Sequence, residues 1–350
     1  MSVREIIRSF DAWRAAATPL VLATVYETLG STYSKAGHRI LIAANGDYRG
    51  LVSGGCLEGD LAERARAALA ADRPAAVTYD LRDEADEIFG LGVGCNGLLR
   101  VFLQPLQPAR GYEPFAAIAA ALVGRECAAI ATVIESSDRA RPAGATVLCS
   151  GSAQRAFGVD GAAAARLAER TRGTLASSAA ALATDDGATV LYAPLKPIPR
   201  LLVLGAGLDA VPLVAMAAEL GWFVTVADHR PAYVERGGFA RAERTLLVEP
   251  GALERSLTLA DFDAIVVMSH HLATDRKYLA ELAAVDTRYL GVLGPRARRT
   301  RLLADLAAEA PALRSRLRGP VGLDIGADSP ESIALSIVAD LQATLTQGQR

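Results

Sequence analysis

The run Leu201-Leu202-Val203-Leu204-Gly205-Ala206-Gly207-Leu208-Asp209-Ala210 joins an apolar stretch to a Gly-x-Gly turn, and a helical pattern follows at once. Glycines at that point allow a tight turn and close backbone approach, and the helix behind them offers free N–H groups to an anion. Asp228 closes the next apolar run, Trp222 to Ala227, at the distance where a carboxylate can meet a ribose hydroxyl. Gly205, Gly207 and Asp228 are therefore candidate groups for a dinucleotide or another phosphate-bearing ligand. Ala210 takes the position of the third glycine.

A second set carries sulfur. In Ser53-Gly54-Gly55-Cys56-Leu57-Glu58, paired glycines precede the start of a helical pattern. Gly54 and Gly55 can turn backbone amides toward a ligand. Cys56 stands ready as a nucleophile or soft donor, and Glu58 as a ligand contact or general base. Cys95 lies in Gly90-Leu91-Gly92-Val93-Gly94-Cys95-Asn96-Gly97, too glycine-rich for a helix or strand interior. Asp83, Glu84, Asp86 and Glu87 before it read as a solvated acidic turn. Cys127 and Cys149 sit in apolar runs and are expected as core thiols. The four cysteines show no CxxC or Cys/His spacing, so neither a zinc site nor a disulfide framework is expected.

A third set follows the apolar runs near the C-terminus. Ser269, His270 and Asp275 come after Ala264–Met268, where a doubly wound sheet would present them to a ligand. Gly291-Val292-Leu293-Gly294-Pro295-Arg296-Ala297-Arg298 ends a strand at a Gly-Pro turn and opens a helix with arginines. Cations there oppose the helix dipole unless an anion joins them, so Arg296 and Arg298 are candidate phosphate ligands.

These residues need a frame of two or three domains, which 350 residues with half of them hydrophobic can supply. A net charge of −2 gives no reason to expect nucleic acid as a partner. No apolar run approaches the ~20 residues that span a bilayer. Met1 to Phe10 reads as amphipathic rather than as a signal peptide, so the cytoplasm is expected. The first two hundred residues hold a faded repeat. Leu22-Ala23-Thr24-Val25-Tyr26-Glu27-Thr28 resembles Ile130-Ala131-Thr132-Val133-Ile134-Glu135-Ser136, and Ala36-Gly37 matches Ala143-Gly144. Arg49-Gly50 falls opposite Phe157-Gly158. Each copy has a hairpin, Arg39–Ala43 with Tyr48–Val52 and Thr146–Cys149 with Ala156–Val159, then an Ala-rich helix and a strand running into proline. The second copy lacks the glycine–cysteine loops, so the first is expected to hold the site. Beyond Pro194, Pro197 and Pro199, strands alternate with helices. The fold class expected is α/β: a C-terminal Rossmann-like parallel sheet with helices on both faces, behind an α+β region with a degenerate repeat. The expected divisions are 1–108, 109–198 and 199–350.

Gly30-Ser31 with Gly37, the Ser53–Glu58 loop and the Gly90–Gly97 loop resemble the N-terminal domain of the XdhC/CoxI family, the xanthine dehydrogenase accessory proteins. The Gly205 turn, Asp228-His229-Arg230-Pro231, Ser269-His270, Gly291–Arg296 and Gly322-Leu323-Asp324-Ile325-Gly326-Ala327 resemble its Rossmann domain. The resemblance implies binding of the molybdenum–molybdopterin cofactor, support of its sulfuration by a cysteine desulfurase, and delivery to an apo xanthine dehydrogenase-type molybdoenzyme. It implies a maturation chaperone more than a turnover enzyme, working as a homodimer. Molybdenum would be contacted at Cys56, with Cys95 the second candidate. The alternative is an NAD(P)-dependent oxidoreductase using Gly205, Gly207 and Asp228.

Overall fold

The computed structural model describes residues 1–82, 97–177, 179–185, 187–307 and 309–346. The chain divides into two compact units, Met1–Pro197 and Ile198–Gly348. The proline-rich stretch around residue 197 marks the change, where backbone N–H groups are missing and neither helix nor sheet can continue.

In the first unit the chain runs α1 (Val3–Ala15), β1 (Leu20–Gly30), β2 (Arg39–Ala43), β3 (Tyr48–Arg49), α2 (Glu58–Ala71), β4 (Ala75–Asp80) and β5 (Gly97–Leu106). After α3 (Phe115–Val123) it repeats the plan: β6 (Ala128–Ser136), β7 (Thr146–Ser150), β8 (Ala153–Phe157), α4 (Gly161–Gly173), β9 (Ala181–Asp185) and β10 (Ala188–Leu195). The two five-stranded antiparallel sheets have the same topology, β3-β2-β1-β5-β4 and β8-β7-β6-β10-β9. The match extends to irregularities. The β1–β5 register slips between Val25 and Glu27, and the β6–β10 register slips at the counterpart of that point, so Tyr26 and Ile134 are equivalent bulged residues. Gly37 N–H donates to Val25 O and Gly144 N–H to Val133 O, each at 2.8 Å.

Each sheet packs its own helix. Val21, Ala23, Val25, Ile40 and Ile42 meet Leu57, Leu61 and Ala65. In the second copy Ala131, Val133, Val147 and Cys149 meet Ala164, Leu167 and Ala168. The bulged Tyr26 and Ile134 join Phe102 and Leu191, themselves equivalent by register, in one shared cluster. A bulge re-aims a side chain off the regular pleat. Here the same bulge in both copies turns a side chain into their seam.

The second hairpin departs from expectation. Thr146 pairs with Phe157 and Ser150 with Ala153, so the returning strand begins three residues earlier than the sequence pattern placed it. The register also makes Arg155 the counterpart of Arg49, because Leu148 faces Arg155 as Leu41 faces Arg49. Gly158 and Gly50 share residue type but not register, since Gly50 follows Arg49 and Ala156 follows Arg155. Cys149 is buried, but Cys127 is exposed just ahead of β6, so it is no core thiol.

The second unit is built as β11 (Arg200–Leu204), α5 (Ala210–Glu219), β12 (Phe223–Asp228), α6 (Pro231–Glu235), β13 (Arg244–Leu247), α7 (Leu253–Ser256), β14 (Ala264–Val267), α8 (Leu272–Leu282), β15 (Tyr289–Val292), α9 (Arg296–Asp305), α10 (Ala310–Arg314), β16 (Leu317–Arg318) and α11 (Pro330–Thr346). Its sheet is parallel, with strand order β13-β12-β11-β14-β15-β16. Strand side chains alternate between two cores. Leu201, Val203 and Val266 face α5 and α11, whereas Leu202, Leu204 and Val267 face α8 and α9. The order reverses between β11 and β14, and the crevice beyond their carboxyl ends is where such sheets take ligands.

Candidate functional site

The glycine–cysteine loop of the first unit is tied from within by one side chain. Glu58, 1% exposed at the first position of α2, accepts from Val52 N (2.8 Å), Ser53 N (2.9 Å), Ser53 Oγ (2.7 Å) and Gly55 N (3.0 Å). Ser53 Oγ accepts in turn from Leu57 N at 2.8 Å. Burial alone would push the Glu58 carboxyl up; the donors from Ser53 and Val52 outweigh it and hold the group below its ordinary value. Glu58 thus positions the loop: both of its oxygens take N–H or O–H donors from residues 52–55. Gly54 and Gly55 have φ of +83° and +117°, which L side chains rarely adopt, so both glycines are required by backbone conformation. Cys56, next in the chain, is exposed. Cys95, with the acidic cluster and glycines before it, lies outside the described residues.

At the carboxyl edge of the parallel sheet the predicted residues come together through partners the sequence reading did not weigh. Gly205 has φ +129°, and a Cβ there would sit 2.4 Å from Met268 O, so this glycine lets the turn after β11 pass against the end of β14. Asp209, one turn further, reaches back over Gly207, where a Cβ would meet its Oδ1 at 2.4 Å. Asp209 Oδ2 lies 2.7 Å from His270 Nε2. His270 itself holds a left-handed backbone, φ +61°, a conformation that costs a non-glycine residue energy and persists only where the surroundings impose it.

Asp228 is fully buried and fully engaged. Its Oδ2 accepts from Ala206 N and Arg230 Nη2, both at 2.7 Å, and its Oδ1 from Arg230 N and Nε, both at 2.9 Å. Burial raises the Asp228 pKa, but the Arg230 guanidinium and these N–H groups bring it below the usual range. The carboxylate expected to meet a ribose hydroxyl instead locks the Gly205–Gly207 turn to the end of β12. The Arg230 side chain, set over the Tyr233 ring at 3.6 Å, completes that lock.

The arginine run divides by role. Arg298 Nε and Nη2 donate to Asp275 Oδ2 at 3.2 and 2.6 Å, and Asp275, 1% exposed, also accepts from Ser269 Oγ. Ser269 and Arg298 are therefore joined through Asp275. Arg299 donates to the carbonyls of Leu317 and Arg314. Arg296 is exposed at the first position of α9. Tyr278 places an unpartnered, buried hydroxyl nearby, and burial together with the Asp228 carboxylate raises its pKa. The signals for Asp209 and Arg230 were present as charges two residues from Gly207 and Asp228; nothing in composition said they would turn inward. Among the described residues no three His, Cys, Asp or Glu side chains gather as a metal site.

Among the described residues two clefts lie away from these groups. A cleft of about 440 Å³ at the seam of the repeats is lined by Pro74, Gln104, Pro142, Gly144 and Phe157. One of about 180 Å³ sits at the amino ends of β11 and β12, beside Arg200 and Phe223.

A parallel sheet with its glycine turn at the strand-order reversal defines a Rossmann unit, here carried behind a duplicated antiparallel unit with one tied cysteine loop. Comparison with known proteins then fixes the lineage: the XdhC Rossmann domain matches residues 201–341, and the XdhC and CoxI family matches residues 13–80. The chain belongs to the XdhC/CoxI family. It is 33% identical over 327 residues to a probable xanthine dehydrogenase subunit of Bacillus subtilis, covering 93% of this chain and 92% of that one. It is 22% identical over 323 residues to the molybdenum cofactor insertion chaperone PaoD of Escherichia coli, covering 92% and 82%. A crystal structure described as a xanthine dehydrogenase from Bacillus halodurans matches with a TM-score of 0.80 at 28% identity, covering 99% of this chain and 96% of that one. Among the described residues no helix is long and apolar enough to cross a membrane.

Proposed function

We propose that this chain holds the molybdenum–molybdopterin cofactor as cargo, supports addition of its terminal sulfido ligand with sulfur from a cysteine desulfurase, and passes it to an apo xanthine dehydrogenase-type molybdoenzyme. It does so in the cytoplasm, as a homodimer. The observation that carries this reading is the division of labour in the first unit's loop. Glu58 is spent in shaping the turn, and Cys56 is presented outward on it. A thiolate is a soft donor suited to molybdenum or to sulfur, and a loop fixed from inside can hold cargo without a general base of its own. Family membership and the likeness to PaoD, a molybdenum cofactor insertion chaperone, support the same reading. Cys95 stays the second thiol proposed near the metal.

In the Rossmann unit Gly205, Gly207, Ser269, His270, Arg296 and Arg298 are proposed as contacts for a phosphate-bearing ligand. Arg296 is the arginine of the run best placed to meet an anion, since Arg298 is paired with Asp275. The dehydrogenase alternative draws no support from this geometry: Asp228, the carboxylate that would meet a ribose, is closed by Arg230.

The test is co-purification. The protein is expressed with and without cofactor synthesis, and molybdenum and oxidised pterin are measured per chain, with Cys56→Ala alongside. Near-stoichiometric cargo that drops about tenfold in Cys56→Ala, a loss of about 1.4 kcal/mol, is expected. Cargo retained by the variant moves the site off Cys56. No cargo in either protein, with tight NAD binding, overturns the reading.

A further inference from the structure

The repeat supplies an internal comparison between a copy with a glycine–cysteine loop and a copy without one. Strand registers fix the equivalences. His38 N–H donates to Lys35 O as Ala145 N–H donates to Pro142 O, so Lys35 stands where the second copy has Pro142, and the second copy's loop, residues 137–143, has no aromatic to match Tyr33. Arg49 and Arg155 are counterparts, and eight residues (50–57) separate Arg49 from α2 against five (156–160) between Arg155 and α4. At the first helical position Glu58 replaces Gly161. The two copies keep the same strands, bulges and seam. One difference sits at this loop: it is longer in the first copy, with Gly54, Gly55 and Cys56, a buried acid to hold it, and an aromatic on the facing loop.

That aromatic lies beside the loop. Tyr33 is 63% exposed, and a Cβ added at Gly54 would lie 3.9 Å from its ring. Around Gly55 the same construction meets nothing within 4 Å. The facing loop is pinned to the base of the cysteine loop, since Ser34 Oγ donates to Leu51 O at 3.3 Å and the His38 side chain hydrogen-bonds the Leu51 backbone. A single exposed aromatic is ordinary on a protein surface. One held beside a turn stripped of side chains, in the copy that has the glycine–cysteine loop and absent from the copy that lacks it, has the form of a stacking surface.

We infer that the Tyr33 ring beside the bare Gly54-Gly55 turn is a stacking platform for a flat heteroaromatic ring bearing an anionic group, with Lys35 supplying positive charge on the same loop. The inference rests on the cargo reading above in naming a pterin as the ring. Tyr33 contributes its face and not its hydroxyl, so phenylalanine serves as well and alanine does not.

The probe is pterin-6-carboxylate, whose fluorescence is followed as the full chain is titrated in. Wild type and Tyr33→Phe should bind alike, and Tyr33→Ala about tenfold more weakly, within the range of one aromatic stacking contact. Equal thermal midpoints of the three proteins establish that the change is local. No binding by wild type, or equal binding by Tyr33→Ala, overturns the platform. Molybdenum retention separates this from the cargo reading. Probe binding through Tyr33 without co-purified molybdenum sinks the cargo reading and leaves the platform. Co-purified molybdenum with probe binding indifferent to Tyr33 does the reverse.

Discussion

Glu58 shows how an acid can be removed from chemistry and put to work on shape. Four donors converge on a carboxylate that burial would otherwise neutralise, and the charged form wins. Its folded-state pKa is lowered from the ordinary 4.5, so the stability it contributes is complete above that value and is lost as pH falls through the folded value. Glu58→Gln keeps the size but turns an amide N–H₂ toward donors. It should cost about 2–3 kcal/mol, read as a lower urea midpoint at pH 7, and the gap to wild type should narrow below pH 4. A wild-type-like midpoint at pH 7 would mean the loop does not depend on this knot. Cys56 itself is exposed, so Cys56→Ala should change cargo and leave the urea midpoint within about 0.5 kcal/mol.

The turns after β11 and β14 form a joint rather than two separate loops. Gly205 lies against the Met268–Ser269 backbone, which cannot move aside as a side chain would. Gly205→Ala combines that overlap with a left-handed φ and should destabilise the chain by about 2 kcal/mol or more, measured as a drop in thermal midpoint. Asp275→Asn should cost about 2 kcal/mol by loosening both Ser269 and Arg298; an unchanged midpoint would show that the Ser269–Asp275–Arg298 chain does not brace this edge. Elements of this kind were partly legible in advance. Continuous apolar runs gave β11, β12, β14 and β15 within a residue, because both faces of a central parallel strand are buried. β16, with two residues, carries too little pattern to read, and β8 is exposed along its length, so its place is set by pairing with β7 rather than by hydrophobicity. The site was legible in its glycines and not in its charges. A left-handed turn demands Gly54, Gly55 and Gly205 locally, whereas Glu58, Asp228 and Arg298 turn inward because of partners brought near only by folding.

For the whole chain, the seam of the repeats sets what can fold alone. Tyr26, Phe102, Ile134 and Leu191 belong to one cluster, yet they come from both copies. A fragment ending near residue 108 would leave Tyr26 and Phe102 without Ile134 and Leu191, while a fragment of residues 1–197 keeps all four. The longer fragment should melt in a single cooperative transition, and the shorter one should lack a resolved transition and aggregate. Two transitions from the longer fragment would mean that the copies fold apart. The shared bulge has an evolutionary corollary. A duplicated half that lacks the glycine–cysteine loop is released from selection on its loops but not on its seam, where every change must be answered from the other copy. Two clocks should therefore run in the same half of the chain. Among many related sequences, positions 134 and 191 should drift slowly and in concert with 26 and 102, while 156–160 drifts freely; the second copy's strands would preserve the ancestor's architecture long after its loops have forgotten the ancestor's trade.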